Sequence, residues 1–126
     1  MAVFINLSNH SSSKWAPEQI QAAQNLGGEI EDIAFPQIDP EASTEEIEQL
    51  AQQFHNEIAD KHFGDNGIVV HVMGEMTFVA AFLNAARESG VMTCVCSTTK
   101  RDTVEDPTTG TKTSVFRFIQ FREYPK

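Results

Sequence analysis

Two cysteines are all that this chain of 126 residues carries, and they stand two apart, at Cys94 and Cys96. Residues two apart in a strand share one face, where the geometry for bonding each other is poor. A disulfide framework is therefore not expected, and both read as small buried residues. No apolar run approaches the roughly 20 residues that a bilayer-spanning helix needs, and no basic, apolar leader opens the sequence. A soluble, cytoplasmic protein with no membrane partner is the expectation. Cations are scarce as well: nine Lys and Arg stand against eighteen Asp and Glu, for a formal net charge of −9. A sequence-independent grip on long DNA or RNA needs several phosphate-facing cations, so no long nucleic acid is expected as a partner. A small anionic ligand remains open.

Several well-marked chemistries are missing too. There is no Gly-x-x-x-x-Gly-Lys-Ser/Thr loop and no Gly-x-Gly-x-x-Gly turn, which removes the P-loop ATPases and the dinucleotide dehydrogenases. No Gly-x-Ser-x-Gly elbow is present for a hydrolase triad. His55 and His62 lie seven apart on a helix and His71 in a strand, without a carboxylate or second ligand at metal spacing. Neither a metal nor a cofactor is expected.

What is present is an α/β pattern. The apolar run Ile68 to Met73, bounded by Asp65-Asn66-Gly67 and Gly74, reads as a buried parallel strand. Phe78, Val79, Phe82, Leu83 and Ala86 then mark a helix running to about Ser89-Gly90. The chain opens with a strand over Ala2 to Leu7, followed by a polar loop from Ser8 to Ser13 and a helix that starts at Pro17 and stops at Gly27-Gly28. Glu29 to Ile33 alternates as an exposed edge strand. Ser43 and Glu46 form a capping box for a helix whose stripe is Ile47, Leu50, Phe54 and Ile58. Val91 to Cys96 reads as a further buried strand ending in Ser97-Thr98-Thr99-Lys100-Arg101. After the turn cluster Asp106 to Gly110, Val115 to Phe121 closes an antiparallel hairpin, with Val115, Arg117, Ile119 and Phe121 on one side and Phe116, Phe118 and Gln120 on the other. The order β-α-β-α-β-α-β-β predicts one domain over residues 1–126, a three-layer Rossmann-like sheet, mostly parallel, with a C-terminal antiparallel hairpin.

In such sheets ligands settle where strands end and helices begin, so three loops are expected to share one rim: Asn9 to Lys14, Met73 to Thr77, and Ser97 to Arg101. Hydroxyls at Ser8, Ser11, Ser12, Ser13, Thr77, Ser97, Thr98 and Thr99, the Asn9 amide, the His10 imidazole, the Glu75 carboxylate and cations at Lys14, Lys100 and Arg101 suit a phosphate or nucleotide. His10 is the best general acid or base by residue type. From Glu29 to Asp60 there are ten acidic residues and no Lys or Arg, which reads as a solvated face, with a docking surface for a partner protein as the alternative.

The stretches Phe4 to His10, Val72 to Phe78, Ser97 to Arg101 and Phe116 to Tyr124 resemble a family of small stand-alone bacterial proteins associated with CRISPR loci. More loosely, the architecture is similar to CRISPR-associated Rossmann-fold (CARF-like) domains, which bind cyclic oligoadenylates across a two-fold dimer and include ring nucleases that switch off antiviral immunity. The resemblance implies a homodimer that binds a cyclic oligoadenylate. It implies a metal-independent ring nuclease, or a sensor or sponge that binds without cleaving. Carried over, it places Asn9, His10, Gly74, Glu75, Thr77, Ser97, Thr98, Thr99 and Arg101 at the ligand. His10 and Arg101 would be the catalytic pair, with Ser11, Lys14, Met76 and Lys100 beside them and backbone amides of residues 74–77 assisting at the phosphate.

Overall fold

A computed structural model describes residues 2–126. Its elements run β1 (Ala2–Ser8), a single 3-10 turn (Ser12–Lys14), α1 (Pro17–Gly27), β2 (Glu29–Ala34), α2 (Thr44–Lys61), β3 (Gly67–Val72), α3 (Met76–Ser89), β4 (Thr93–Glu105) and β5 (Lys112–Glu123). The five strands form one sheet in the order β2-β1-β3-β4-β5. The first three pairings are parallel and the last antiparallel, giving a Rossmann-like α/β fold. The chain leaves β1 toward β2 on one side and reaches β3 on the other. The crevice between the carboxyl ends of β1 and β3 is thus the topological switch point, where open α/β sheets take ligands.

Strand alternation sorts side chains between the two faces. Val3, Ile5, Leu7, Ile68, Val70, Val72 and Cys94 pack with Ile47, Ala51, Ile58, Phe78, Phe82 and Ala86 of α2 and α3. On the other face Phe4, Ala23 and Val95 form a smaller cluster with Trp15, Ile30, Val69 and Phe121 at its margin. Local signals hold the helices in place. Ser43 Oγ accepts from the Glu46 N–H while the Glu46 carboxylate accepts from the Ser43 N–H, so both halves of the capping box are made. Gly28 ends α1 at φ 87°, a conformation that favours glycine, with its N–H on the Gln24 carbonyl. The α2 carboxylates Glu45, Glu46, Glu48, Glu57 and Asp60 are all exposed. No helix among the described residues is long and apolar enough to cross a membrane.

Three sequence readings change. The fourth strand does not end at Cys96: it starts at Thr93 and continues to Glu105, because β5 pairs with it along nearly its whole length. Residues 97–101 are therefore strand, part of a hairpin arm that extends past the parallel sheet, and not a rim loop. Within that hairpin the register shifts between Thr98 and Thr99, so Thr98 faces Gln120 while Thr99 faces Phe118. The extra residue at Ile119 moves Phe121 to the side of Phe118, whose ring lies 4.9 Å away, against the strict alternation predicted from the sequence. The buried stripe of α2 also includes Ala51 and His55, with Leu50 and Phe54 only half-buried. His55 Nε2 lies 2.7 Å from Ser89 Oγ at the end of α3, which accounts for an imidazole buried between α2 and α3. Cys94 and Cys96 are both free thiols; burial pushes the Cys94 thiol up to about 12, so it stays protonated.

Candidate functional site

The rim is a cavity of about 620 Å³ at the carboxyl ends of β1 and β3, roofed on one side by the hairpin arm. Eight of the residues that the sequence places on the rim line it: Ser8, Asn9, His10, Lys14, Met73, Gly74, Ser97 and Thr99. Trp15, Phe116 and Phe118 supply aromatic walls, and Phe116 is 66% exposed although it borders the cavity, which leaves its ring face free to stack. None of the chain's eighteen acidic residues lines the cavity, whereas Lys14 does. In a molecule of net charge −9, that is a local reversal of sign.

The remaining sequence candidates do not line the cavity. Glu75 is the N-cap of α3, its carboxylate accepting from the N–H groups of Thr77 (3.1 Å) and Phe78 (2.9 Å). The amides expected to meet a phosphate thus already hold the chain's own carboxylate, which satisfies the helix N-terminus from within. Gly74, which does line the cavity, is also held to glycine by packing: a Cβ there would fall 2.5 Å from carbons of the Phe35 ring. Met76 is 84% exposed at the start of α3. Ser11 caps the 3-10 turn, accepting from Ser13 N–H, and Thr98 Oγ1 exchanges hydrogen bonds with the Gln120 backbone across the hairpin. Lys100 stands opposite Arg117 on the hairpin. Arg101 points along the arm, donating from Nε (3.1 Å) and from its guanidinium NH2 (2.9 Å) to Ser114 Oγ.

Beneath the cavity runs a row of polar side chains of which the sequence singles out Ser97 alone as a site residue. Asp32 on β2, Asn6 on β1 and His71 on β3 stand side by side in register, and Ser97 on β4 lies two residues beyond Val95, the register partner of His71. Asn6 Nδ2 donates to Asp32 Oδ1 and to the His10 carbonyl, each at 2.8 Å, and Asn6 Oδ1 lies 2.9 Å from His71 Nδ1. His71 Nε2 is 3.2 Å from Ser97 Oγ. Asp32 also receives the Ser12 N–H (3.0 Å) and hydroxyl (2.7 Å), so it ties the loop after β1 to the sheet. Its burial would raise its pKa, but the hydrogen bonds from Asn6 and Ser12 outweigh that and hold the carboxyl below its ordinary range. His71 is enclosed by the rings of Phe4, Trp15 and Phe121, and burial lowers its pKa to about 4, leaving it neutral near pH 7. The available signals were Asn6 and His71 themselves, polar interruptions in otherwise apolar central strands, and Trp15, the chain's one tryptophan.

A second polar cluster sits away from the cavity. His62 places Nε2 2.8 Å from Glu31 and Nδ1 2.8 Å from Asp65, and Lys61 pairs with Glu31. Two carboxylates therefore flank His62, which the linear spacing did not reveal. Burial opposes the charged imidazole, but the hydrogen bonds to Glu31 and Asp65 prevail and raise its pKa. Among the described residues no group of three or more His, Cys, Asp or Glu is arranged to hold a metal.

The family model described as "Uncharacterized protein MJ1673 family" matches residues 2–122, nearly the whole chain. The chain belongs to that family. No curated protein matches it.

Proposed function

We propose that this member of the MJ1673 family binds a small nucleotide in the rim cavity, and that the nucleotide is a cyclic oligoadenylate. The observation that carries the reading is the cavity's lining: aromatic faces at Trp15, Phe116 and Phe118 beside Lys14, with no carboxylate, in a strongly acidic chain. Flat aromatic surfaces take the faces of bases and a cation takes phosphate, whereas an apolar ligand would have no use for the Lys14, Ser97 and Thr99 side chains. The looser resemblance of the architecture to CARF-like domains makes cyclic oligoadenylate the ligand to try. On this reading the protein acts in antiviral defence as a homodimer.

The reaction proposed is ring opening without a metal. A ribose 2′-oxygen attacks the adjacent phosphorus; the O2′–P bond forms and the P–O5′ bond breaks, leaving a 2′,3′-cyclic phosphate and a free 5′-hydroxyl. The proton lost from O2′ is balanced by one gained at O5′, and the role of moving it falls to His10, which lines the cavity. Lys14 offsets charge on the phosphate, and the fixed walls hold the attack in line. A second reading, retention without cleavage, is favoured by one observation: Arg101, the other catalytic candidate, is bonded to Ser114 and lines no part of the cavity.

Incubation of the metal-free protein with a panel of cyclic oligoadenylates, followed by calorimetry and chromatography in parallel, tests both. Linear products that vanish in His10→Ala support the ring nuclease. Tight binding without products supports the sponge, and no binding to any ring refutes both.

A further inference from the structure

The polar row beneath the cavity fixes where its hydrogens lie. Asn6 has two neighbours that only accept, the Asp32 carboxylate and the His10 carbonyl, each 2.8 Å from its Nδ2. Turning the amide over would set its oxygen against both, so the amide nitrogen must face them and the amide oxygen must face His71. That oxygen accepts, which places the hydrogen of a neutral imidazole on Nδ1, 2.9 Å away. Nε2 is then bare and takes the hydroxyl hydrogen of Ser97 across 3.2 Å. The other group within reach of that hydroxyl, Met73 Sδ at 3.2 Å, also only accepts. With either partner, Ser97 commits its single hydrogen to the wall, so toward a ligand in the cavity it lines its oxygen is left only to accept.

We propose that Ser97 is a specificity-determining residue: a hydrogen-bond acceptor, held by the row Asp32–Asn6–His71, that receives a sugar hydroxyl of the bound nucleotide and turns away a phosphate oxygen at that point. The assignment of a sugar hydroxyl rests on the nucleotide reading of the cavity. In a nucleotide the sugar joins base to phosphate, so with the base against Trp15 or Phe116 and the phosphate at Lys14, the group left to meet the remaining wall is ribose. A hydroxyl that donates to Ser97 satisfies both partners. A phosphate oxygen there would set acceptor against acceptor.

Two measurements test this. In the free protein, the nitrogen-15 spectrum of His71, assigned through its contacts to the Phe4, Trp15 and Phe121 rings, reports the tautomer; the row requires a protonated Nδ1 and a bare Nε2 between pH 6 and 8. Calorimetry then compares cyclic tetra-adenylate with its 2′-deoxy analogue. The wild type should bind the ribose form roughly ten-fold or more tightly, and Ser97→Ala should bind the two alike. The opposite tautomer overturns the fixed acceptor whatever the ligand. Equal binding of both rings by the wild type overturns the hydroxyl assignment while leaving the nucleotide in place. Binding of neither ring, with the expected tautomer, removes the nucleotide reading and the hydroxyl with it, and upholds Ser97 as an acceptor.

Discussion

On β1, Val3, Ile5 and Leu7 belong to the face covered by α2 and α3, while Phe4, Asn6 and Ser8 belong to the face covered by α1. The same division continues on β3, with Ile68, Val70 and Val72 against Val69 and His71. The first face is a continuous apolar core. The second begins apolar, with Phe4 and Val95, and turns polar toward the carboxyl end of the sheet, at Asn6, Ser8, His71 and Ser97. A polar group buried this way must find partners or it destabilises the fold, and here each one has found them. Among the described residues no buried side-chain nitrogen or oxygen lacks a hydrogen bond. The comparison teaches a division of labour: burial on one face stabilises the fold, and polar groups bonded to one another on the other shape a cavity. Solvent-facing hydroxyls alone could not hold that shape.

The contrast breaks first on the apolar face. Phe82, fully buried between α3 and the sheet, should cost about 3 to 5 kcal/mol when replaced by alanine. Urea unfolding measures it, and a loss under about 1 kcal/mol would mean that this face collapses around the gap and is not the stabilising one.

Acid tests the polar face next. The unfolded chain takes up a proton on His71 at the ordinary 6.5, but the folded chain resists until about 4 because the ring is buried. Between those values the unfolded state binds more protons, so the stability present above pH 6.5 falls as pH falls, by up to about 3 kcal/mol near pH 4. His62 has the opposite sign: its raised pKa contributes stability below 6.5 that is lost as pH rises through the folded value. Unfolding midpoints measured from pH 8 to 4, with both imidazoles followed by NMR, check the pair. A His71 that titrates at its ordinary value would mean that water reaches the polar row.

The smallest effect sharpens the comparison on the helix side. Ser43→Ala removes the oxygen that caps the Glu46 N–H and should lower stability by about 1 kcal/mol, leaving ligand binding untouched, since α2 lies across the sheet from the cavity. A loss of binding in that variant would mean that the two faces are coupled.

Much of this frame was legible from residue patterns. The run Ile68 to Val72, the Ser43 capping box and the Gly27-Gly28 stop specify their elements locally, because periodicity, capping and glycine act over a few residues. The hairpin arm was less so: Ser97 to Arg101 is polar enough to read as loop, and only its pairing with β5 makes it strand. Glu75 reads from the sequence as a ligand contact, though a carboxylate just ahead of a helix is equally a cap, and a cap is what it is. The polar row could not be assembled from spacing, since Asn6, Asp32, His71 and Ser97 meet only through strand order and register. The aromatic wall was hidden for the same reason, Trp15 and Phe118 lying over a hundred positions apart in the chain.

Trp15 also provides the most direct test of the cavity as a nucleotide site. It is the chain's one tryptophan and stands in the cavity wall, so tryptophan emission, excited at the red edge where Tyr124 does not absorb, reports on that place alone. Titration of the native protein with cyclic tetra-adenylate should give a saturable change in Trp15 emission that Lys14→Ala weakens. Emission that stays constant up to millimolar ligand would contradict the assignment of this cavity.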